Sequence, residues 1–290
     1  MQSIAQINKH FDIEGHRGCR GLMPENTIPA FIKAVQIGVT TLEMDVVITK
    51  DKKVIVSHEP WMNADICMDA TGNTISKNDE ESLNIYNMTY EEVKTYDCGT
   101  KPYARFPKQY KMKVSKPLLA NVIDSVESYC RANNVKPPFY NIETKCTPDG
   151  DSIFHPAPAE FTELLLDVIF KKGVAARCII QSFDVRTLQY AHKKYPTLKL
   201  ALLVEDSTNY QKNIHDLGFT PYIYSPNQEI VNAELVSYCR TQKMKLVVWT
   251  VNEKEQMDKL VHLGVDGIIT DYPDVAVSHL LKPKLELQKH

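Results

Sequence analysis

"FDIEGHRGCRGLMPENTIPAFIKAVQIGVTTLEMDVVIT", residues 11–49, decides the fold. It opens on a β-rich run, "FDIEGH", and turns through a stretch marked by three glycines. It then continues as the amphipathic "PAFIKAVQIG" and returns to a second β-rich run, "TTLEMDVVIT". Proline suits the first turn of a helix, and Gly38 stands where a helix ends. The alternation persists along the chain. Further strand candidates are "FYNIETK", "RCIIQSF", "LKLALLVE", "PYIYSP", "KLVVWTV" and "DGIITDYP", with amphipathic stretches between most of them. Gly173, Gly218 and Gly264 close several of those stretches as Gly38 closes the first. Eight strands separated by helices predict a (β/α)8 TIM barrel. A doubly wound open sheet has the same alternation and stands as the alternative; the count of eight favours the barrel.

Residues 60–116 break the rhythm. They are polar and loop-like, with one short helical stretch, "TYEEVKTY", and the aromatics Trp61, Tyr86, Tyr103 and Phe106. So long an irregular segment in a compact domain is a functional lid or a disordered loop. It reads as a small subdomain inserted after the second strand and laid over one barrel face. No repeat, low-complexity tract or linker divides the 290 residues, so the chain is read as one domain.

The bulk numbers narrow the function. The composition is 43% hydrophobic and 24% charged, ordinary for a soluble globular protein. A net charge of −2 argues against a broad nucleic-acid surface. No apolar stretch approaches a membrane span, and "MQSIAQINKHFDIEGHRG" lacks the apolar middle of a signal peptide. A cytoplasmic location and export with a leader absent from this chain both stay open, as does the oligomeric state. The seven cysteines are scattered and never form C-x-x-C. They read as small buried hydrophobes rather than as a zinc site or a disulfide framework.

Barrel enzymes place their chemistry at the C-terminal ends of the strands. His16 and Arg17 close the first strand here. Glu43 and Asp45 lie two apart in the second, so both project from one face, while Leu42, Met44 and Val46 take the other. His58 ends "KVIVSH", an extension following the second strand. Glu143 and Lys145 share a face of the third, Gln181 ends the fourth, and Trp249 and Asn252 flank the end of the seventh. Asp271, in "TDYP", reads as a cap of the last helix and is left out of the site.

Two carboxylates among apolar neighbours need a counter-charge. Lys145 would supply one as a structural ion pair. A divalent cation explains more, because it also accommodates Glu143, and three oxygen ligands without a Cys/His set suit Mg²⁺ or Ca²⁺. Two histidines, such a cation, and an arginine and a lysine for anionic oxygens suit phosphoryl transfer.

These residues also resemble a family. "GHRG…PENTIPAFIKAVQIG…LEMDVVITKDKKVIVSH" is similar to the opening signature of glycerophosphodiester phosphodiesterases, and "IETK", "QSFD", "WTVN" and "GVDGIITDYP" match its later blocks in order. The likeness runs from about residue 12 to residue 274. It implies a (β/α)8 barrel with a subdomain inserted after the second strand, and hydrolysis of glycerophosphodiesters to sn-glycerol 3-phosphate and an alcohol. It further implies that His16 and His58 form the acid–base pair and that Glu43, Asp45 and Glu143 hold the metal. Arg17 and Asn26 would bind phosphate, Lys145 would add positive charge, and Gln181 and Trp249 would line the pocket. Glu25 would brace the site. One departure is visible: the histidine at 58 is followed by Glu59, where the family has aspartate. Two rivals to this reading are a lysophospholipase D acting through the same site on lysophospholipids, and a non-catalytic barrel that binds phosphorylated ligands.

Overall fold

The computed structural model describes residues 11–281. Residues 1–10, part of the stretch read as lacking an apolar leader, and residues 282–290 lie outside that range. Eight parallel strands close into a barrel: β1 (Asp12–Gly15), β2 (Thr41–Ile48), β4 (Phe139–Thr144), β5 (Cys178–Ser182), β6 (Lys199–Val204), β7 (Ile223–Pro226), β8 (Lys245–Val248) and β9 (Gly267–Thr270). Closure comes from β1 pairing with both β2 and β9. The eight candidate strands are these eight, and the open-sheet alternative falls. β3 (Val54–Val56) is a ninth, antiparallel strand on β2, with Val46 opposite Val56. The extension expected after the second strand is therefore a hairpin return that carries His58 back toward the barrel mouth.

A strand covered on both sides buries every residue, and all eight residues of β2 are buried. Its outward residues Leu42, Met44 and Val46 join the main core beneath the helices. Inside the barrel, Ile179, Ala201, Ile223, Val247 and Ile269 meet from five strands and fill one side of the interior. The other side holds a buried polar cluster, Glu14, Asn141 and Gln181 together with Glu43, Asp45 and Glu143, so an apolar plug and a polar cluster divide the barrel between them.

Helix α1 (Ile28–Ile37) shows why the opening stretch folds as it does. The Thr27 hydroxyl accepts from the Ala30 N–H, Pro29 occupies the first turn, and Gly38 ends the helix at φ 100°. The turn before it is tighter than a ligand-cradling loop. A side chain on Gly15 would meet the Gly18 carbonyl oxygen, and one on Gly18 (φ +86°) would meet Ala30. These two glycines let backbone pack on backbone, which seats α1 against the end of β1.

The insert occupies the stretch between β3 and α3 (Leu119–Ala132) and has its own small core. Met62, Ile66, Ile85 and Val93 pack on Val47 of β2 and Ile55 of β3. The short helix expected in "TYEEVKTY" is α2 (Tyr90–Val93), opened by a capping box between Thr89 and Glu92. The insert then crosses to the far side of the barrel mouth. Gln109 donates to the Arg20 carbonyl, and Phe106 packs edge-on against Tyr272.

One expectation fails here. Cys67 and Cys98 form a disulfide within the insert, 31 residues apart, so the cysteines are not all isolated hydrophobes. The other five, Cys19, Cys130, Cys146, Cys178 and Cys239, are free and buried, as expected. Among the described residues, no helix is long and apolar enough to cross a membrane.

Candidate active site

The register of the sheet builds the site. Asp45 lies opposite Glu143 across β2 and β4, and Glu143 lies opposite Gln181 across β4 and β5. Glu43, one repeat earlier on β2, projects from the same face as Asp45. Three carboxylates thus meet near the C-terminal rim, with ligand oxygens all within 4.8 Å of one another and all three residues buried.

Each acid has its own support. Glu43 accepts from the Arg17 backbone N–H at 2.8 Å and from the Gln181 amide at 2.9 Å. Asp45 accepts from the Asn26 amide at 2.9 Å and has the Arg17 Nε at 3.4 Å. Glu143 accepts from Lys145 Nζ at 2.8 Å, and the same ammonium stands 3.8 Å from Asp45. The ion pair foreseen for Lys145 therefore exists, but one ammonium cannot offset three acids. Burial, reinforced by the charge of Asp45, pushes Glu43 well above the ordinary carboxylate range. Burial also raises Glu143, against the pull of Lys145. Asp45 is held low despite burial by the charges of His58, Arg17 and Lys145. The cluster is short of positive charge, and a small cage of buried carboxylate oxygens fits a hard divalent cation.

Both histidines are held in the same way. His16 Nδ1 lies 2.7 Å from Asp271 Oδ1, and His58 Nδ1 lies 2.7 Å from Glu59 Oε1. A carboxylate at Nδ1 keeps the proton there and leaves Nε2 free to exchange one with a substrate. Burial, helped by the charge of Arg20 and opposed by Asp271, pushes His16 down to about 4. It is neutral at physiological pH.

A cavity of about 220 Å³ opens over this cluster. It is lined by His16, Arg17, Glu43, Asp45, His58, Glu143, Lys145, Gln181 and Trp249. Of the ten residues given a catalytic, metal-holding or substrate-binding role from the sequence, only Asn26 is absent from the lining. Its side chain is 3% exposed and is spent on Asp45. Arg17 reaches the cavity while its Nη1 holds Glu25 at 2.7 Å, which is the bracing foreseen for Glu25. Trp249 stands at the wall with its indole N–H donated to the Ser225 carbonyl.

Sequence reading missed Arg20, Arg105, Phe183 and Asp271. The first three line the cavity. Asp271 caps no helix: it is fully buried and receives His16, Arg20 and Asn252. A charged residue directly after a barrel strand was the signal available for it, the same one that marked His16.

A family model described as the glycerophosphoryl diester phosphodiesterase family matches residues 16–275. A glycerophosphodiester phosphodiesterase of Bacillus altitudinis is 31% identical, covering 91% of this chain and 96% of that protein. One from Caldanaerobacter subterraneus is 29% identical over 92% and 96%. Among solved structures, a Silicibacter pomeroyi protein assigned to the same family superposes with a TM-score of 0.83 at 28% identity, covering 93% of each chain. With the match spanning nearly the whole barrel and every strand end that carries the site, the chain belongs to the glycerophosphoryl diester phosphodiesterase family and is an enzyme, a phosphoric diester hydrolase.

Proposed function

We propose that this enzyme hydrolyses glycerophosphodiesters to sn-glycerol 3-phosphate and an alcohol, dependent on one divalent cation, Mg²⁺ or Ca²⁺, and using His16 and His58 as its acid–base pair. Glu43, Asp45 and Glu143 would hold the cation, which when bound would offset phosphate charge and lower the pKa of a hydroxyl or water. Arg17 and Lys145 bring positive charge to the nonbridging oxygens. One histidine accepts the nucleophile's proton at Nε2, and the other returns a proton to the departing alkoxide, so no net charge accumulates across the reaction. Asn26 and Gln181 act on the carboxylates rather than on the phosphate: each donates its amide to an acid and fixes where that oxygen points. Glu59, which stands where the family usually has aspartate, would hold the His58 ring through Nδ1.

The observation that carries the reading is the pairing of two carboxylate-braced imidazoles with a three-carboxylate cage in one cavity. A merely phosphate-binding barrel has no use for two such imidazoles. The test is a panel of glycerophosphodiesters offered to chelated protein with Mg²⁺ and Ca²⁺ restored in turn. Release of sn-glycerol 3-phosphate that vanishes with the chelator and returns with a metal supports the reading; metal-indifferent release overturns it. The same panel, with a lysophospholipid included, decides the lysophospholipase D rival: faster cleavage of lysophosphatidylcholine than of glycerophosphocholine would favour that activity.

A further inference from the structure

A second cavity, of about 310 Å³, opens beside the first and shares Glu143, Lys145 and Phe183 with it. Its largely apolar walls include aromatic side chains from three separate segments. Trp61 opens the insert, Phe154 belongs to the loop after β4, and Phe183 follows β5. Trp61 and Phe154 pack at 5.4 Å with their planes tilted by 60°, and Phe183 stands edge-on to Trp249 at 5.6 Å. His155 also lines the trough. Its Nε2 accepts from the Thr147 N–H at 3.0 Å and its Nδ1 faces the Pro156 carbonyl at 2.9 Å, with Cys146 Sγ at 3.7 Å and Asp151 Oδ1 at 3.8 Å. Three charged groups line the trough: Glu143 and Lys145, which pair with each other at 2.8 Å, and the exposed carboxylate of Asp149.

We propose that this trough receives the leaving alcohol of the substrate and selects one that ends in a methylated, quaternary ammonium, as in choline esters. The inference rests on the phosphodiesterase reading above and names its head-group class. A quaternary ammonium has no N–H to satisfy, and the faces of aromatic rings attract it. A carboxylate at the mouth adds to that attraction. A primary ammonium or a polyol head would bring several donors against largely apolar walls, where Glu143 is already engaged by Lys145 and Asp149 stands exposed at the mouth, and burying unpaired donors is costly. The continuity with the carboxylate cage puts the trough where one arm of a bound phosphodiester must leave the phosphorus. The glycerol arm then lies toward Arg17 and Arg105. The same head group arrives on glycerophosphocholine and on lysophosphatidylcholine, so the trough reads choline whichever glycerol carries it.

The experiment compares kcat/KM for glycerophosphocholine, glycerophosphoethanolamine and lysophosphatidylcholine in the wild type, Trp61→Ala, Trp61→Phe and Phe154→Ala. The wild type should favour the choline diester over the ethanolamine diester by about tenfold, the size expected of a partly desolvated cation–π contact. Both alanine variants should bring that ratio close to one, and Trp61→Phe should keep most of it. Equal rates on the two diesters in the wild type, or alanine variants that lose both in proportion, overturn the proposal. So does a Trp61→Ala loss confined to lysophosphatidylcholine, which would place an acyl chain in the trough. Calorimetric binding of free choline gives a readout that needs no turnover: weakening in Trp61→Ala supports the trough, and no choline binding by the wild type sinks it. If choline binds but no diester is cleaved, the phosphodiesterase reading has failed instead.

Discussion

The carboxylate of Asp271, just after the last barrel strand, stands 2.7 Å from Nδ1 of His16, just after the first. The barrel closes between these two strands, with Gly15 opposite Thr270, so the two ends of the fold meet at an imidazole proposed above as one of the acid–base pair. Asp271 also receives Arg20 Nε at 2.5 Å and the Asn252 amide at 2.9 Å, which fix both of its oxygens.

Asp271→Asn should therefore act on turnover. An amide can present its NH₂ to Nδ1 and favour the tautomer with the proton on Nε2, which is the wrong one for a base. We expect kcat to fall by about 10²–10⁴-fold with KM and cation affinity nearly unchanged. Steady-state kinetics with calorimetric metal titration checks this, and wild-type kcat in the variant would remove Asp271 from the mechanism.

The two histidines can be told apart by the leaving group. His16→Ala and His58→Ala should each lower turnover on a natural diester by about 10²–10⁴-fold. On an activated aryl ester the departing group needs no proton, so only the variant lacking the general acid should recover. Recovery by both, or by neither, would contradict a division of labour between them.

Cation binding should depend on pH in a defined direction. Burial and mutual repulsion hold Glu43 and Glu143 above their ordinary range, so without metal they tend to keep protons. A cation must displace those protons, and its affinity should rise with pH. For the metal-free protein, raised folded-state pKa values mean that stability contributed by the protonated acids is present at low pH and is lost as pH rises. The gain in Tm on adding the cation should then be larger in mildly alkaline than in mildly acidic buffer. Calorimetry at several pH values checks it; a gain independent of pH would show that the acids are already ionised.

The disulfide closes a 31-residue separation inside the insert. In the chain-entropy model, a loop of that size contributes about 3–4 kcal/mol. Cys67→Ser together with Cys98→Ser should loosen the insert before the barrel. Limited proteolysis should cut within residues 60–116 while the barrel fragment survives. Cleavage spread evenly through the chain would show that insert and barrel unfold together.

Most of the architecture was legible because strand burial and helix caps are local. Leu42, Met44 and Val46 alternate with Glu43 and Asp45, and that period alone sorts core from site. What escaped reading depended on contacts between distant segments. Asp271 lies 255 residues from His16, and beside Pro273 it has the look of a helix cap. Cys67 and Cys98 sit in a stretch with no hydrophobic period to set their distance. Asn26 carries a phosphate binder's chemistry, but a left-handed backbone at φ 56° accompanies a side chain turned inward onto Asp45. Phe154 and Phe183 could not be joined to Trp61 until the loops were placed.

The short antiparallel strand β3 has a consequence for how this enzyme diversifies. His16 sits at the end of β1 and is held by Asp271 at the end of β9, while His58 is delivered by the hairpin that leads into the insert and is braced by Glu59, its next residue. Changes in the insert can reach the two cavities through His58, through Arg105 and Trp61 at their walls, and through Gln109 and Phe106, which pack on Arg20 and Tyr272 beside Asp271. On the roles proposed for His58 and Trp61, head-group choice and one of the two proton transfers would travel together on one segment of the chain.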